Sequence, residues 1–272
     1  MLITDSLAIA DFAHHLKLAE KSEATIIKYT RDMRKFSEHL GGTPLTKEAI
    51  VDYKTKLRAD GRNVTGINAV IAAINSFLAF IGLSDLKVKP YKIQQCQFRD
   101  SNRELMRDEY NRLLVVALNS GNRQLWLIMQ TICSTGLRVS ELRFVTVEAV
   151  RLKQITVTNK GKTRVVPLTE KLCNKLTPYI VKTQITSGEV FPVKRNEVWR
   201  EMKKLCAKAG VEPKKVFPHN LRHLFGVTFY HREHDIVKLA ALLGHSDVNT
   251  TRIYTLESDK LYRVGLDLGL VA

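Results

Sequence analysis

The chain has 272 residues, a length that accommodates one large domain or two ordinary ones. Its 43 Lys and Arg outnumber 27 Asp and Glu and give a formal net charge of +16 at pH 7, which favours a polyanionic partner. No apolar run approaches the roughly 20 residues that cross a bilayer, and no signal peptide is recognisable, so we expect a cytoplasmic protein without membrane association. The four cysteines form no CxxC pair, which argues against a zinc site or a disulfide framework.

The first part of the chain has the apolar spacing of helices. One stretch repeats apolar side chains every three or four positions, with Ser22 as its expected N-cap and Gly41 as its end. Together the helices predict a four-helix bundle over residues 1–83, followed by a basic linker over residues 84–102. The four helices are expected near residues 6–19, 25–40, 46–60 and 64–81.

A row of basic side chains lies on the second predicted helix, opposite its apolar stripe. Such a row is most often a solvated face, but it also suits a surface that binds the phosphates of one groove of a duplex. Composition does not separate these interpretations. The candidate DNA-binding residues of this row are Lys28, Arg31, Arg34 and Lys35.

Residues 103–272 predict a second domain that contains both helices and strands. Two apolar helices are expected at residues 108–119 and 124–134. We expect the apolar side chains of the first, including Val115 and Leu118, to belong to the core.

Arg138 follows the second of these helices and precedes a short one, for which Ser140 is the expected N-cap. This position would direct an arginine and free backbone amides to one point, which is the arrangement of an anion site. A surface arginine beside a helix cap would have the same sequence.

Residues 154–168 alternate apolar and polar side chains around a turn-forming sequence, and therefore predict a β-hairpin. Lys160 is expected at its tip. A lysine there is either solvated or extends its ammonium group toward a bound duplex.

Two amphipathic helices are predicted at residues 169–182 and 195–209, and Pro178 is expected to kink or end the first. The second is rich in basic side chains and fits a helix that lies in the major groove or on the phosphate backbone. Its candidate DNA-binding residues are Arg200, Lys203 and Lys204.

The groups with the clearest chemistry lie between His219 and Tyr254. An arginine binds two phosphate oxygens at once, an imidazole exchanges protons near neutral pH, and a tyrosine can carry a covalent phosphoryl group. His219 and Arg222 are three residues apart and share one face of a predicted helix. This stretch therefore has the groups needed to hold a phosphodiester and attack it.

Five motifs in this order and spacing resemble the tyrosine recombinase (phage integrase) family, with a layout similar to compact two-domain Xer-type or mobile-element integrases. The resemblance is close over residues 103–256 and loose before them. The motifs are TGLRVSEL (135–142), NKGKTRVVPL (159–168), HNLRH (219–223), LLGHS (242–246) and Tyr254, nine residues after His245.

The resemblance implies a mainly α-helical fold with a small β-hairpin or sheet. It implies an N-terminal SAM-like core-binding domain, an α+β catalytic domain and a C-terminal docking tail. The implied activity is site-specific DNA recombination, in which DNA is cut and rejoined through a 3′-phosphotyrosine intermediate and strand exchange. This chemistry needs no ATP, metal or other cofactor.

The resemblance also implies roles for the catalytic residues. Arg138 and Arg222 would clamp the non-bridging oxygens of the scissile phosphate. His219 and His245 would hydrogen-bond the same oxygens or help to move a proton. Tyr254 would be the nucleophile.

Lys160 would be the general acid that protonates the leaving 5′ oxygen. Because this hairpin is one residue shorter than the commoner form, Lys162 is a second candidate. Glu141 is expected to orient a side chain of the site, or else to form a plain surface pair with Arg138.

The implied partners are double-stranded DNA recombination sites, bound by a homotetramer on two duplexes, with room for accessory DNA-bending or directionality factors. The implied location is the nucleoid of a bacterial or mobile-element host cell, where exchange would pass through a Holliday junction. The apolar tail after Tyr254 either folds back on its own domain or docks into a neighbouring protomer. The alternatives are a type IB-like topoisomerase, a DNA-binding protein of the same fold without exchange activity, and an unrelated basic scaffold.

Overall fold

The described part of the chain is mainly α-helical, with one two-stranded antiparallel sheet, and this confirms the predicted fold class. The chain divides into two compact units, Met1–Gln95 and Cys96–Ala272. No helix among the described residues is long and apolar enough to cross a membrane. The computed structural model describes residues 6–93, 102–159, 161–245 and 247–256.

The first unit contains the four predicted helices, close to their expected bounds. Helix α2 begins where the Ser22 side chain accepts a hydrogen bond from the Thr25 amide, and it ends at Gly41, which has a positive φ of 54°. The apolar faces of the helices meet in one core that includes Phe12 and Phe77. The elements are α1 (Ser6–Leu18), α2 (Glu23–Leu40), α3 (Lys47–Ala59), α4 (Val64–Phe80) and a 3-10 helix, Ser84–Leu86.

The basic row on α2 surrounds a buried carboxylate. Lys28 Nζ donates to one oxygen of Asp32 at 3.0 Å, and Arg31 Nη2 donates to the other at 3.2 Å. These two cations therefore compensate a charge that would be costly to bury alone. Arg34 and Lys35 are exposed.

The segment that follows α4 is bound to that helix through two asparagines. The Asn75 amide donates to the Val88 carbonyl at 2.9 Å and accepts from the Val88 N–H at 3.0 Å. Asn68, two turns earlier, makes the same pair of bonds with Tyr91, at 2.9 and 2.8 Å. Lys54 Nζ lies 3.9 Å from the centre of the Tyr91 ring. Residues 88–91 are thus fixed on α4, although their composition predicted a linker.

The second unit is larger and has its own core, formed by side chains from its helices and from the hairpin. Its strands pair from Gln154 with Pro167 to Asn159 with Lys162, as the alternation predicted. The elements are α5 (Arg107–Asn119), α6 (Arg123–Thr135), a 3-10 helix Val139–Phe144, α7 (Val147–Arg151), β1 (Gln154–Asn159), β2 (Lys162–Pro167), α8 (Glu170–Lys182), α9 (Arg195–Ala209), a 3-10 helix Pro213–Lys215, α10 (Pro218–Glu233), α11 (Ile236–Leu243), and two 3-10 turns, Val248–Thr250 and Arg252–Tyr254.

Local expectations for two helices were wrong. Val115 and Leu118 are exposed, because α5 buries only the face that carries Leu113 and Ala117. Helix α8 does not end at Pro178, and the buried Leu176 and Ile180 on either side keep it packed on the core. Helix α7 was not predicted, because its five residues are too few for a periodic pattern.

The asparagine contacts give a testable prediction for the segment after α4. Asn75→Ala removes both bonds to Val88, so the Val88 amide should exchange with solvent at least about 10-fold faster in hydrogen-exchange NMR. Asn68→Ala is the matched control and should accelerate Tyr91 far more than Val88. Unchanged Val88 exchange in Asn75→Ala would contradict the role given to this asparagine.

Candidate active site

Arg222, on α10, is a buried arginine with several polar partners. Its side chain is only 1% exposed. Its Nη1 donates to the Gly136 carbonyl at 2.7 Å, and its Nη2 donates to the Leu243 carbonyl at 2.8 Å. Burial, followed by the nearby charge of Arg138, lowers the pKa of Arg222 to about 10, so the guanidinium remains charged at neutral pH.

The two carbonyls are available because each lies at the C-terminus of a helix. Such carbonyls lack intrahelical donors and carry the negative end of the helix dipole. Gly136 ends α6 and Gly244 ends α11, with φ values of 68° and 65°. A Cβ at Gly136 would lie 2.6 Å from the Phe225 ring, so glycine is required there for space as well as for conformation.

Glu141 joins the basic side chains of the site. It is 1% exposed and accepts from the Arg138 amide at 2.8 Å and the Arg138 guanidinium at 2.9 Å. Arg164 donates to both of its oxygens, at 3.2 and 2.7 Å, and Arg222 Nη1 lies 3.8 Å from Oε2. Burial alone would raise the pKa of Glu141, but the bonds from Arg164 and Arg138 outweigh it and leave that pKa lowered.

These contacts decide two expectations about this stretch. Glu141 is not part of a surface pair, because its carboxylate is buried among arginines. Arg138, rather than Ser140, is the N-cap of the 3-10 helix, because the Glu141 side chain bonds the Arg138 amide. Ser140 is exposed.

His245 is held on both ring nitrogens. Arg222 Nη2 lies 3.0 Å from its Nε2, and Thr251 Oγ1 lies 2.9 Å from its Nδ1. Because a guanidinium only donates, Nε2 must accept, and we assign the proton to Nδ1. Burial, then the charges of Arg222 and Arg138, lower the pKa of His245 to about 4, so the ring is neutral at pH 7.

Tyr254 is packed inside the unit, with only 3% of its surface exposed. Its ring lies 5.1 Å from the ring of His223 and 6.4 Å from that of His245. Burial raises the pKa of the Tyr254 phenol, while the charge of Arg222 acts in the opposite direction. A Cβ at Gly226 would lie 2.5 Å from the ring, so the close approach of helix α10 depends on that glycine.

A cavity of about 450 Å³ adjoins this cluster. Its lining includes three arginines, Arg138, Arg195 and Arg222, together with His219 and the exposed indole of Trp199. Desolvation of the ring by surrounding protein, then the charges of Arg222 and Arg138, lower the pKa of His219. The cavity is therefore lined by positive charge and suits an anion.

One donor in the cluster has no acceptor. Arg222 Nε is buried and has no hydrogen-bond partner among the described residues. A buried unpaired donor costs roughly 1–3 kcal/mol, and an anionic oxygen would satisfy it. This orphaned N–H belongs to an arginine that also lines the cavity.

The structure brings most of the predicted catalytic residues together. Arg138, Arg222, His245 and Tyr254 form one connected cluster through Glu141 and ring contacts. His219 shares the cavity with both arginines. Lys160 and the tail after residue 256 lie outside the described residues. Lys162 is exposed at the start of β2.

The predicted DNA-binding residues of α9 differ in their surroundings. Arg200 is exposed. Lys203 donates to the Pro213 carbonyl, and Lys204 pairs with Glu201 at 2.6 Å.

No group of His, Cys, Asp and Glu among the described residues could hold a metal ion.

Sequence reasoning missed three residues of the cluster. Arg164 bonds both Glu141 and the Leu242 carbonyl, the latter at 3.0 Å, and its position within the hairpin motif was an available signal. Thr251 holds His245, and Gly226 makes room for Tyr254. These two have no chemical signal of their own, because their importance depends on which side chains they meet.

Comparisons with known proteins cover both units. A family model described as the phage integrase family matches residues 103–260, and one described as the phage integrase N-terminal SAM-like domain matches residues 9–82. The tyrosine recombinase XerA of Pyrococcus horikoshii is 32% identical over 280 residues, covering 97% of this chain and 94% of the relative.

Two solved structures share the fold at low sequence identity. The Tn1549 transposon integrase in complex with transposon right end DNA has a TM-score of 0.72 at 16% identity, covering 97% of this chain and 99% of that one. A lambda integrase tetramer bound to a Holliday junction has a TM-score of 0.72 at 17% identity, covering 93% and 78%.

The packing of Tyr254 on helix α10 gives a prediction for stability. Gly226→Ala should lower the free energy of unfolding of the second unit by about 1–3 kcal/mol, because the new methyl group displaces the Tyr254 ring. Both tryptophans, Trp126 and Trp199, lie in this unit, so urea titration followed by tryptophan fluorescence reports on it alone.

A double-mutant comparison separates this clash from other effects. In a Tyr254→Ala background the ring is absent, and Gly226→Ala should then stabilise by up to about 1 kcal/mol, because alanine favours a helix over glycine. An equal loss in both backgrounds would show that the Tyr254 ring is not what requires glycine.

The lowered pKa of His245 gives a prediction for pH dependence. The pKa of this histidine is about 6.5 in the unfolded chain and about 4 in the folded chain. Its contribution to the free energy of unfolding is therefore fully present above about pH 6.5 and is lost as the pH falls toward 4. His245→Gln should flatten this fall by up to roughly 1 kcal/mol per pH unit in urea titrations. His231→Gln, at an exposed histidine, is the control and should keep the wild-type dependence of the free energy of unfolding on pH. The same dependence in His245→Gln would contradict the lowered pKa of His245.

Proposed function

The chain belongs to the phage integrase family and is a tyrosine-type site-specific DNA recombinase, and from this premise we propose that Tyr254 is its nucleophile. One observation carries the proposal. The ring of Tyr254 is stacked 6.4 Å from that of His245, whose Nε2 is bonded to Arg222, and Arg222 lines a cavity with Arg138 and His219.

In the proposed reaction, the Tyr254 oxygen attacks the scissile phosphorus of a DNA strand. The new phosphorus–oxygen bond forms as the bond to the 5′ oxygen breaks, so the chain holds a 3′-phosphotyrosine and the other strand end has a free 5′ hydroxyl. The attack of a 5′ hydroxyl from a partner duplex reverses these steps and releases Tyr254. The bond energy is retained throughout, so no nucleotide cofactor is consumed.

The two arginines differ in how they would stabilise the transition state. Arg138 is partly exposed and would contact a non-bridging oxygen directly. Arg222 is buried and would act through its unpaired Nε and through Nη2, which now contacts His245. Donors fixed in a low-dielectric site need no reorganisation as negative charge develops on the phosphate.

His219 and Lys160 complete the proposed set. His219, at the cavity, would hydrogen-bond a phosphate oxygen or accept the tyrosine proton, and its lowered pKa keeps it neutral for either role at pH 7. Lys160 would protonate the leaving 5′ oxygen, with Lys162 as the second candidate.

Tyr254 must be uncovered before it can attack. Its ring is almost fully buried against Gly226, and burial raises the pKa of its phenol. A bound duplex would therefore have to draw the 3-10 turn that carries Tyr254 outward. In this conformation the nucleophile is protected from solvent and from unspecific phosphates.

The proposed partners are recombination sites on double-stranded DNA, bound by four protomers on two duplexes. The positive cavity and the net charge of +16 support a DNA partner. The basic rows on α2 and α9 would contact phosphates, and the apolar tail would dock into a neighbouring protomer. Accessory DNA-bending or directionality factors, a Holliday-junction intermediate, a mobile-element origin and a location at the nucleoid belong to the same proposal.

The alternative functions are not favoured. The relative matched over almost the full length of both chains is named a recombinase, and the catalytic cluster is connected rather than partly lost. A topoisomerase-like enzyme would share the first step, and only an assay with two sites separates the two activities.

The test is formation of a covalent protein–DNA adduct. The substrate is a nicked duplex carrying the junction sequence recovered from cells that express the protein together with its flanking DNA. Wild-type protein should form the adduct in excess EDTA, because arginines supply the positive charge. Tyr254→Phe should abolish the adduct and leave duplex binding within about 3-fold, because it removes only the phenolic oxygen.

Two controls define the outcome of this test. Tyr262→Phe, at the neighbouring tyrosine in the sequence, should form the adduct as wild type does. An adduct that persists in Tyr254→Phe and maps to Tyr262 by mass spectrometry would overturn the assignment of the nucleophile, and a strict requirement for magnesium would overturn the proposed charge stabilisation.

A further inference from the structure

Thr251 is a fully buried polar residue for which the mechanism above has no use. It is 0% exposed, and its hydroxyl lies 2.9 Å from Nδ1 of His245. Its carbonyl accepts the Tyr254 N–H at 3.0 Å. One residue therefore contacts both a histidine of the site and the turn that carries the proposed nucleophile.

The contact with Arg222 fixes the present tautomer of His245. Because Arg222 donates to Nε2, the proton is on Nδ1, and the Thr251 hydroxyl accepts from it. A phosphate oxygen has no proton to donate. Suppose that a phosphate oxygen replaced His245 as the acceptor for the Arg222 Nη2–H. His245 Nε2 would then face that oxygen, which is also an acceptor, and it could form a hydrogen bond only by carrying a proton itself.

We propose that Thr251 is a positioning residue that supports His245 in both neutral tautomers, and so lets its Nε2 become a donor when DNA binds. This inference rests on the proposed function. In the exchange, Nδ1 loses a proton to water and Nε2 gains one from water, so the ring stays neutral. The Thr251 hydroxyl then rotates, and its O–H donates to Nδ1.

A hydroxyl suits this role because it can either donate or accept. A carboxylate or a carbonyl in the same place would hold the proton on Nδ1, and an amide N–H would hold it on Nε2. The positive charges around the ring, from Arg222, Arg138 and Arg164, disfavour an imidazolium and leave the two neutral forms to compete. The charge of His219 also acts on the ring, and the titratable Tyr254 is stacked beside it at 6.4 Å.

The kinetic test compares three variants on the nicked duplex under single-turnover conditions. Thr251→Val keeps the shape and removes the hydroxyl, and adduct formation should slow by about 10-fold or more because one hydrogen bond to the ring is lost. Thr251→Ser restores the hydroxyl and should stay within about 3-fold of wild type. Thr250→Val, at the adjacent exposed threonine, should match wild type.

A second background distinguishes positioning from plain structural support. In His245→Ala the ring is absent, so adding Thr251→Val should cause no further loss of rate if Thr251 acts through that ring. A further loss of the same size would overturn the inference. The pH–rate profile is the companion readout, because Thr251→Val should move the His245 limb and Thr250→Val should not.

The tautomer itself can be observed without any substitution at residue 251. Protein labelled with 15N-histidine should show a protonated Nδ1 at His245 when free. Bound to the same duplex without a nick, in the Tyr254→Phe variant, it should show a protonated Nε2. A proton that stays on Nδ1 in the complex would overturn the inference, even if Thr251→Val failed to fold.

The proposed function has a separate point of failure. If wild-type protein forms no adduct, the assigned chemistry is wrong. If wild type forms the adduct and Thr251→Val forms it at the same rate, only the role of Thr251 is wrong.

Discussion

The second unit is organised around the burial of one positive charge. A guanidinium removed from water needs several well-placed acceptors, and Arg222 obtains them from the ends of two helices, from Glu141 and from His245. This requirement fixes where α6 and α11 end relative to α10. It also explains why Gly136 occurs at the end of α6, where a side chain would strike its neighbours.

The site contains more positive charge than its own acids neutralise. Glu141 is shared by Arg138 and Arg164 and lies near Arg222, so a single carboxylate serves three cations. An added anion would relieve their repulsion, which supports the proposal that this site binds a phosphate of the DNA. Burial, together with the same positive charges, keeps His245 neutral, so its hydrogen bonds depend on which ring nitrogen carries the proton.

The features that could be predicted from the sequence are those that depend on the spacing of residues close together in the chain. The faces of most helices, the end of α2 at Gly41 and the hairpin followed from periodicity and turn chemistry, as did the shared face of His219 and Arg222. What the sequence could not predict depends on contacts between distant segments. The role of Thr251 appears only when His245 is placed beside it, and Asn75 became informative only once its amide was seen against the backbone of Val88.

The bonds of Arg222 also bear on the order in which this unit folds. The guanidinium is held by carbonyls that lie 86 and 21 residues away along the chain, so its surroundings exist only after long loops have closed. Contacts of such sequence separation form late and slowly in folding. A chain in which these contacts have opened therefore holds Tyr254, the proposed nucleophile, without the arginines that are proposed to activate it. On the proposed mechanism, the enzyme is therefore inactive until this part of its fold is complete.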